Sequence, residues 1–304
     1  MGTVLIKAVS FLLIIAAGYT LKRVGLFGPG DYRIVIKIIM NITLPAVIIT
    51  SFADFPLDLS MLGIIVLGLC ANLCMAGVGY LMARKKDGDH KAFNVLNYSG
   101  FNIGCFTLPY VQSFMGSFGV IVTSMFDAGN SIMSTGGTYA VASQFAGQGE
   151  PQSVKRFFQK LFSSVPFDTY VLMLLMAFLG LRFPSFVYDI TGTFGAANTF
   201  LSMLLIGLVF ECNLDRNKLK RVASNVILRY VCATALALFS YFVLPFSLEI
   251  RHVLVVVAFS PIPVMAPVFT EKLGGDVTLA GVINSISIII SLTVITSLMV
   301  LWQI

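Results

Sequence analysis

Apolar residues fill ten long stretches of the chain, at 4–21, 33–53, 60–82, 92–114, 118–144, 164–182, 190–211, 222–246, 250–271 and 277–303, with polar residues gathered mainly between them. Each stretch is close to the roughly 20 residues a helix needs to cross a bilayer's hydrocarbon core. Lipid offers no hydrogen-bond partner, so a spanning segment of this kind pairs its backbone internally as a helix. The pattern predicts an all-α integral membrane protein of ten transmembrane helices (spans 1–10). Composition agrees: 57% of residues are hydrophobic and 11% charged, where a soluble domain carries about 25% charged residues. Little chain remains for a soluble domain, so any activity sits inside the bundle. The first stretch lacks a basic leader and a small-residue cleavage site, and reads as a retained span rather than a removable signal.

Charge adds orientation. Of the 20 Lys and Arg residues, 16 fall at the ends of or in the loops after spans 1, 3, 5, 7 and 9, from Lys22 and Arg23 to Lys272. Lys7, Arg182 and Arg251 lie on the other side, and Arg229 lies within span 8, where it is expected to snorkel to the headgroups. Positive charge marks the cytoplasmic face, which puts both termini outside a cell membrane. The net charge of +6 then describes topology and contact with anionic lipid, and implies no nucleic-acid partner. The five cysteines, Cys70, Cys74, Cys105, Cys212 and Cys232, are all in or beside apolar helices and read as small packing residues. Two histidines, His90 and His252, are too few for a metal cluster, and no cofactor is implied.

The chain also repeats itself. Pro109 and Pro267 are 158 positions apart, as are Gly116 and Gly274. Asn41 and Asn198, Asp54 and Glu211, Leu57 and Leu214, and Asp58 and Asp215 are each 157 apart. Five spans per half is an odd number, which inverts the second half relative to the first, an arrangement found in many secondary transporters. The expected division is a first repeat at 1–145, a cytoplasmic linker at 146–163 and a second repeat at 164–304. In the linker, Val154, Phe157, Phe158 and Leu161 interleave with Lys155, Arg156 and Lys160, the pattern of a short amphipathic helix on the membrane surface. A simple tether is the alternative.

Candidate chemistry sits where the helical pattern fails. Span 4 reads Asn102-Ile-Gly-Cys-Phe-Thr-Leu-Pro109, and span 9 reads Phe259-Ser260-Pro261-Ile-Pro263-Val-Met-Ala-Pro267. Proline removes a donor and breaks the ladder, which lipid tolerates only where the freed groups line an enclosed site. Paired interruptions in corresponding spans point to a binding site, and the exposed half-helix N-termini favour an anionic group. Asp127 and Asn130 share a face of span 5, and an ionisable residue at membrane depth is a functional candidate by default. Asp127 is the coupling candidate. Asn284, Ser285 and Ser287 occupy the corresponding region of span 10. Asn41 and Asn198 read equally as interhelical glue or pathway lining. Glycines such as Gly77, Gly79, Gly129, Gly136 and Gly137 predict close helix packing.

An enzyme reading fails. Gly28-Pro-Gly-Asp31 and Tyr188-Asp189 resemble the two elements of intramembrane aspartyl proteases, but their order is reversed and the topology puts the two carboxylates on opposite faces. Aspartyl catalysis needs both within a shared proton's reach.

On Asn102 placed seven residues before Pro109, Asp127-x-Gly-Asn130, and Pro267-Val-Phe-Thr-Glu-Lys-Leu-Gly-Gly-Asp276, the chain resembles the auxin efflux carrier (PIN-like) family, which includes bacterial permeases for malate and malonate. The resemblance covers essentially the whole chain, without the long central loop of the plant members. It implies a bile-acid-symporter or sodium–proton-antiporter-like fold in which spans 4 and 9 cross at broken centres. Spans 1, 2, 6 and 7 would form a scaffold, and spans 3–5 and 8–10 a moving transport domain. Homodimers through the scaffold are usual in the family. It also implies a small organic anion as partner and an elevator mechanism. Asn102 would contact the substrate carboxylate, with Pro109, Asn130, Ser260, Pro261, Pro263, Pro267 and Asn284 around the crossover. Ser260-Pro-Ile-Pro replaces the polar-rich segment expected of plant members, which leaves indole acids and smaller carboxylates both open. A sodium-coupled organic-anion symporter of the bile-acid type is the alternative.

Overall fold

The computed structural model describes residues 2–28, 30–53, 58–147, 154–211 and 216–302, and among these there is helix and no strand. The helices are α1 (Gly2–Arg23), α2 (Tyr32–Ile38), α3 (Leu44–Ser51), α4 (Leu62–Ala83), α5 (Gly88–Tyr98), α6 (Leu108–Ile132), α7 (Thr138–Phe145), α8 (Val154–Leu161), α9 (Val165–Phe178), α10 (Ser185–Val209), α11 (Leu219–Phe242), α12 (Leu248–Ala258), α13 (Met265–Lys272) and α14 (Val277–Trp302). Asp54 and Leu57, Cys212, Leu214 and Asp215, Pro29 and linker residues 148–153 lie outside the described residues.

Seven helical stretches are long and apolar enough to cross a membrane. The difference from ten expected spans has three sources. Spans 4 and 5 join in one 58-residue stretch, Gly88–Phe145, which bends at Gly116 (φ 66°, ψ −162°). Span 6 is the 14-residue α9. Span 9 is divided into α12 and α13, of 11 and 8 residues. The amphipathic linker helix is present as α8, with Leu161 buried and Phe158 exposed.

Proline shapes the long stretches in a repeated way. Thr43-Leu44-Pro45 and Thr107-Leu108-Pro109 each begin an α segment directly after a π turn, at Ile39–Thr43 and Ile103–Thr107. A proline at the second helical position has no N–H to give the preceding turn and its ring crowds that turn's carbonyl, so the turn widens.

Packing divides the helices into two groups. α1, α3, α9 and α10 pack on one another, and α4, α5, α6 and α7 do likewise, joined by α11–α14 through α12 against α6 and α13 against α5. Close approaches within each group depend on glycine. A Cβ on Gly129 would lie 1.9 Å from the Ile65 carbonyl oxygen, and one on Gly207 would lie 2.1 Å from that of Ile15. No side chain fits there, and the α4–α6 and α1–α10 backbones touch as small-residue membrane interfaces do.

Candidate functional site

Two interrupted helices cross at Gly100 and Pro263. Between α5 and the following π turn the chain leaves the helix at residues 99–102, and between α12 and α13 it does so at 259–264. Gly100 adopts φ +84°, and a Cβ there would meet Pro263 Cγ at 2.5 Å, so both the conformation and the approach require glycine. The two irregular segments bond directly. The Asn102 N–H donates to the Pro261 carbonyl at 2.9 Å, and Thr107 Oγ1 donates to Ser260 Oγ at 2.6 Å.

Backbone groups freed in this way must be paired, because an unsatisfied buried group costs about 1–3 kcal/mol. Side chains from four neighbouring helices pair them. From α4 and α6, Asn72 Oδ1 accepts the Gly100 N–H (2.7 Å) and Asn130 Oδ1 accepts the Phe101 N–H (3.1 Å). Asn130 Nδ2 donates to the Phe101 carbonyl (3.0 Å) and to Asp127 Oδ1 (2.7 Å), and Asn72 Nδ2 donates to Asn130 Oδ1. The Tyr170 hydroxyl on α9 completes this set by donating to Asp127 Oδ2. From α14, Asn284 Nδ2 donates to the Ile262 and Pro263 carbonyls, and Ser287 Oγ accepts the Ile262 N–H.

The fourth helix is α11, which supplies Arg229, and here the expectation of a snorkelling side chain is overturned. Arg229 is 1% exposed. Its guanidinium donates to the carbonyls of Tyr98, Gly100 (2.7 Å) and Ser260 (3.1 Å) and lies 5.0 Å from the Phe101 ring centre. Position near the predicted end of a span suggested the headgroups, whereas the two broken helices supply carbonyls that make an interior position better. The internal offset was the signal that could have found it: 157 positions separate Asn72 from Arg229, Asp127 from Asn284, and Asn130 from Ser287.

Three cavities lie between the two packing groups. One of about 380 Å³ is lined by Ile36, Met40, Phe101, Asn102, Asp127 and Asn130 together with Pro263, Phe269, Lys160 and Lys272. Asn102 is buried and its Nδ2 has no hydrogen-bond partner. A second, of about 470 Å³, reaches Pro267 and Asn284 and is lined by Lys22, Arg33, Glu211 and Glu271. Within it the Lys22–Glu211 ion pair measures 2.8 Å. The third, about 150 Å³, lies between α3 and α10 on one side and the Gly116 bend on the other.

Of the residues expected at a site, Asn102, Asp127, Asn130 and Pro263 thus face one cavity, and Pro267 and Asn284 another. Ser260 and Pro261 are buried at the crossing, and Pro109 is buried in the first turn of α6. Asn198 is buried and accepts a bond from Thr43 Oγ1, while Asn41 is exposed and donates to the Lys37 carbonyl one turn back, so the pair separated by 157 positions differs in environment. Asp31 adjoins residues lining the same cavity as the end of α10, and Asp189 is in the first turns of that 25-residue helix. At 1.5 Å per residue the two carboxylates are separated by roughly 30 Å, too far to share a proton.

All-helical architecture, apolar spans and a polar crossing buried among them define an integral membrane protein with an internal polar site. Residues 3–156 match the family described as membrane transport protein, and the chain belongs to that family. A protein of Methanothermobacter thermautotrophicus described as an uncharacterized transporter is 29% identical over 134 residues, covering 41% of this chain and 43% of its own length. The chain therefore spans less than half the length of that relative.

Proposed function

We propose that this membrane transport protein is a secondary carrier for a small organic anion, a carboxylate or auxin-like acid. The observation that carries the reading is the unpaired, buried Nδ2 of Asn102, a residue lining a cavity of about 380 Å³ at the crossing, with Lys160 and Lys272 also in the lining and Asp127 as its one acid among the described residues. A buried donor without a partner is costly, and a carboxylate oxygen would remove that cost.

Ten spans in two inverted repeats are part of the proposal. The 157-residue offsets that join Asn72 to Arg229, Asp127 to Asn284 and Asn130 to Ser287 support it. So does the division of packing into α1–α3, α9 and α10 against the remaining helices, because all three cavities fall between the groups. In this reading the first group is a static scaffold that mediates a homodimer, and the second slides past it with the substrate. Both termini lie outside the cell membrane, and no catalytic step is involved.

The test is charge movement in proteoliposomes on a solid-supported membrane, with mono- and dicarboxylates and indole acids applied while sodium and pH vary independently. Carboxylate-evoked currents, or labelled-substrate counterflow where exchange is electroneutral, are expected. Absence of both across the panel would overturn the anion reading. Currents that require sodium would replace it with the bile-acid-type symporter.

A further inference from the structure

Arg229 is a buried cation with no carboxylate partner. Its three hydrogen bonds go to the carbonyls of Tyr98, Gly100 and Ser260, and it forms no ion pair among the described residues. Those carbonyls belong to the places where α5 ends at Tyr98 and α12 ends at Ala258. A helix leaves its last carbonyls without intrahelical partners, and its C-terminal end carries about half a negative charge. Two such ends converge here, with Tyr98, Ser260 and Arg229 all buried. Converging carbonyl oxygens form the ordinary coordination shell of a desolvated cation.

The geometry points to Arg229 as the residue that sets the sign of charge the crossing accepts. With its guanidinium in place the two negative helix ends are neutralised, and the cavity on the Asn102 side is left suitable for an anion. With the guanidinium removed, the same three carbonyls are a vacant cation site. Asn72, 157 positions before Arg229, is neutral and accepts the Gly100 N–H, so the two side chains grip one residue, Gly100, by its N–H and by its carbonyl. The anion half of this inference rests on the carrier reading. The cation half does not.

The test compares the full wild-type chain with Arg229→Met, Arg229→Gln and Arg229→Lys, purified in detergent. Thermal unfolding is followed in choline chloride, sodium chloride and choline chloride with about 20 mM methylguanidinium at constant ionic strength. Expected is an unfolding midpoint for Arg229→Met at least about 3 °C below wild type, with about half the loss restored by methylguanidinium and no response in wild type. A response in Arg229→Met no larger than that of wild type would overturn the inference. Should neither neutral variant be recovered folded, Arg229→Lys decides. Its recovery supports a requirement for charge; its loss with the other two shows that the shape of the fork is what matters, and the inference falls. Failure of the carrier reading is separate: it appears as a wild type without carboxylate-evoked current or counterflow while Arg229→Met still responds to methylguanidinium.

Discussion

The Tyr170 hydroxyl donates to Asp127 Oδ2 at 2.7 Å, and this bond joins α9, in one packing group, to α6 in the other. If the groups slide past each other during transport, the bond breaks in every cycle. Tyr170→Phe is then expected to raise the rate of exchange, by about fivefold for a bond to a carboxylate that retains its Asn130 partner. Asp127→Asn is expected to remove the pH dependence of transport. Counterflow of labelled substrate across a pH series checks both, and a wild-type pH profile in Asp127→Asn would make Asp127 a structural partner of Asn130 rather than the coupling group.

Asn102 holds its place through its backbone, which bonds Pro261 and Thr107, and leaves its side-chain nitrogen free. Asn102→Ala therefore removes the unpaired donor proposed to meet the carboxylate, without cutting the crossing. Substrate Kd is expected to rise about tenfold or more, as a lost bond to a charged acceptor implies, with the unfolding midpoint unchanged. Binding titration of the purified protein reads the first and thermal unfolding the second; unchanged affinity removes Asn102 from the site.

The interruptions were legible in the sequence because proline and glycine act on the backbone locally. Pro261, Pro263 and Pro109 disturb the helix whatever surrounds them, and Asn102 beside them follows. Arg229 was misplaced because its position depends on carbonyls from two other segments, Tyr98–Gly100 and Ser260, which only the crossing brings together. Tyr170 was missed for the same reason: one tyrosine among apolar residues gives no sign that its hydroxyl meets Asp127. Asn130 carried a signal, its spacing from Asp127, but the Asn72 and Phe101 contacts that occupy it arise from tertiary packing.

Glycine at the α4–α6 contact gives a stability prediction with an internal control. A methyl group on Gly129 would lie 1.9 Å from the Ile65 carbonyl and 2.8 Å from the Leu69 nitrogen, both backbone atoms that cannot turn aside. Gly77 on α4 has nothing within 4 Å of the same added atom. Gly129→Ala is expected to destabilise by about 1–3 kcal/mol, the usual range for overpacking, and Gly77→Ala to leave the unfolding midpoint unchanged or raise it slightly, since alanine is the better helix former. Equal behaviour of the two would mean that the α4–α6 backbones are not in contact.

Acid sensitivity provides the last prediction, at the loop before α14. Partial burial pushes the Asp276 carboxyl upward, but the bond from Lys218, the Leu279 N–H and the charges of Lys218 and Arg221 together hold it below the ordinary carboxylate value. A carboxyl depressed in the folded state adds stability that is fully present above its unfolded value, about 3.9, and that disappears as pH falls through the lower folded value. Lys218 Nζ and Asp276 Oδ2 are 2.5 Å apart and both side chains are partly exposed, so the contribution is that of a screened pair. Asp276→Asn keeps an oxygen for the Leu279 N–H and loses only the charge. At pH 7 the variant is expected to unfold about 1–3 °C below wild type, and the gap to narrow as pH falls below about 3.9, the unfolded value, toward the lower folded one. Thermal unfolding of both proteins from pH 7 to pH 3 measures it. A gap that stays constant over that range would assign the loss to capping geometry, because only a loss that depends on the Asp276 charge changes with pH.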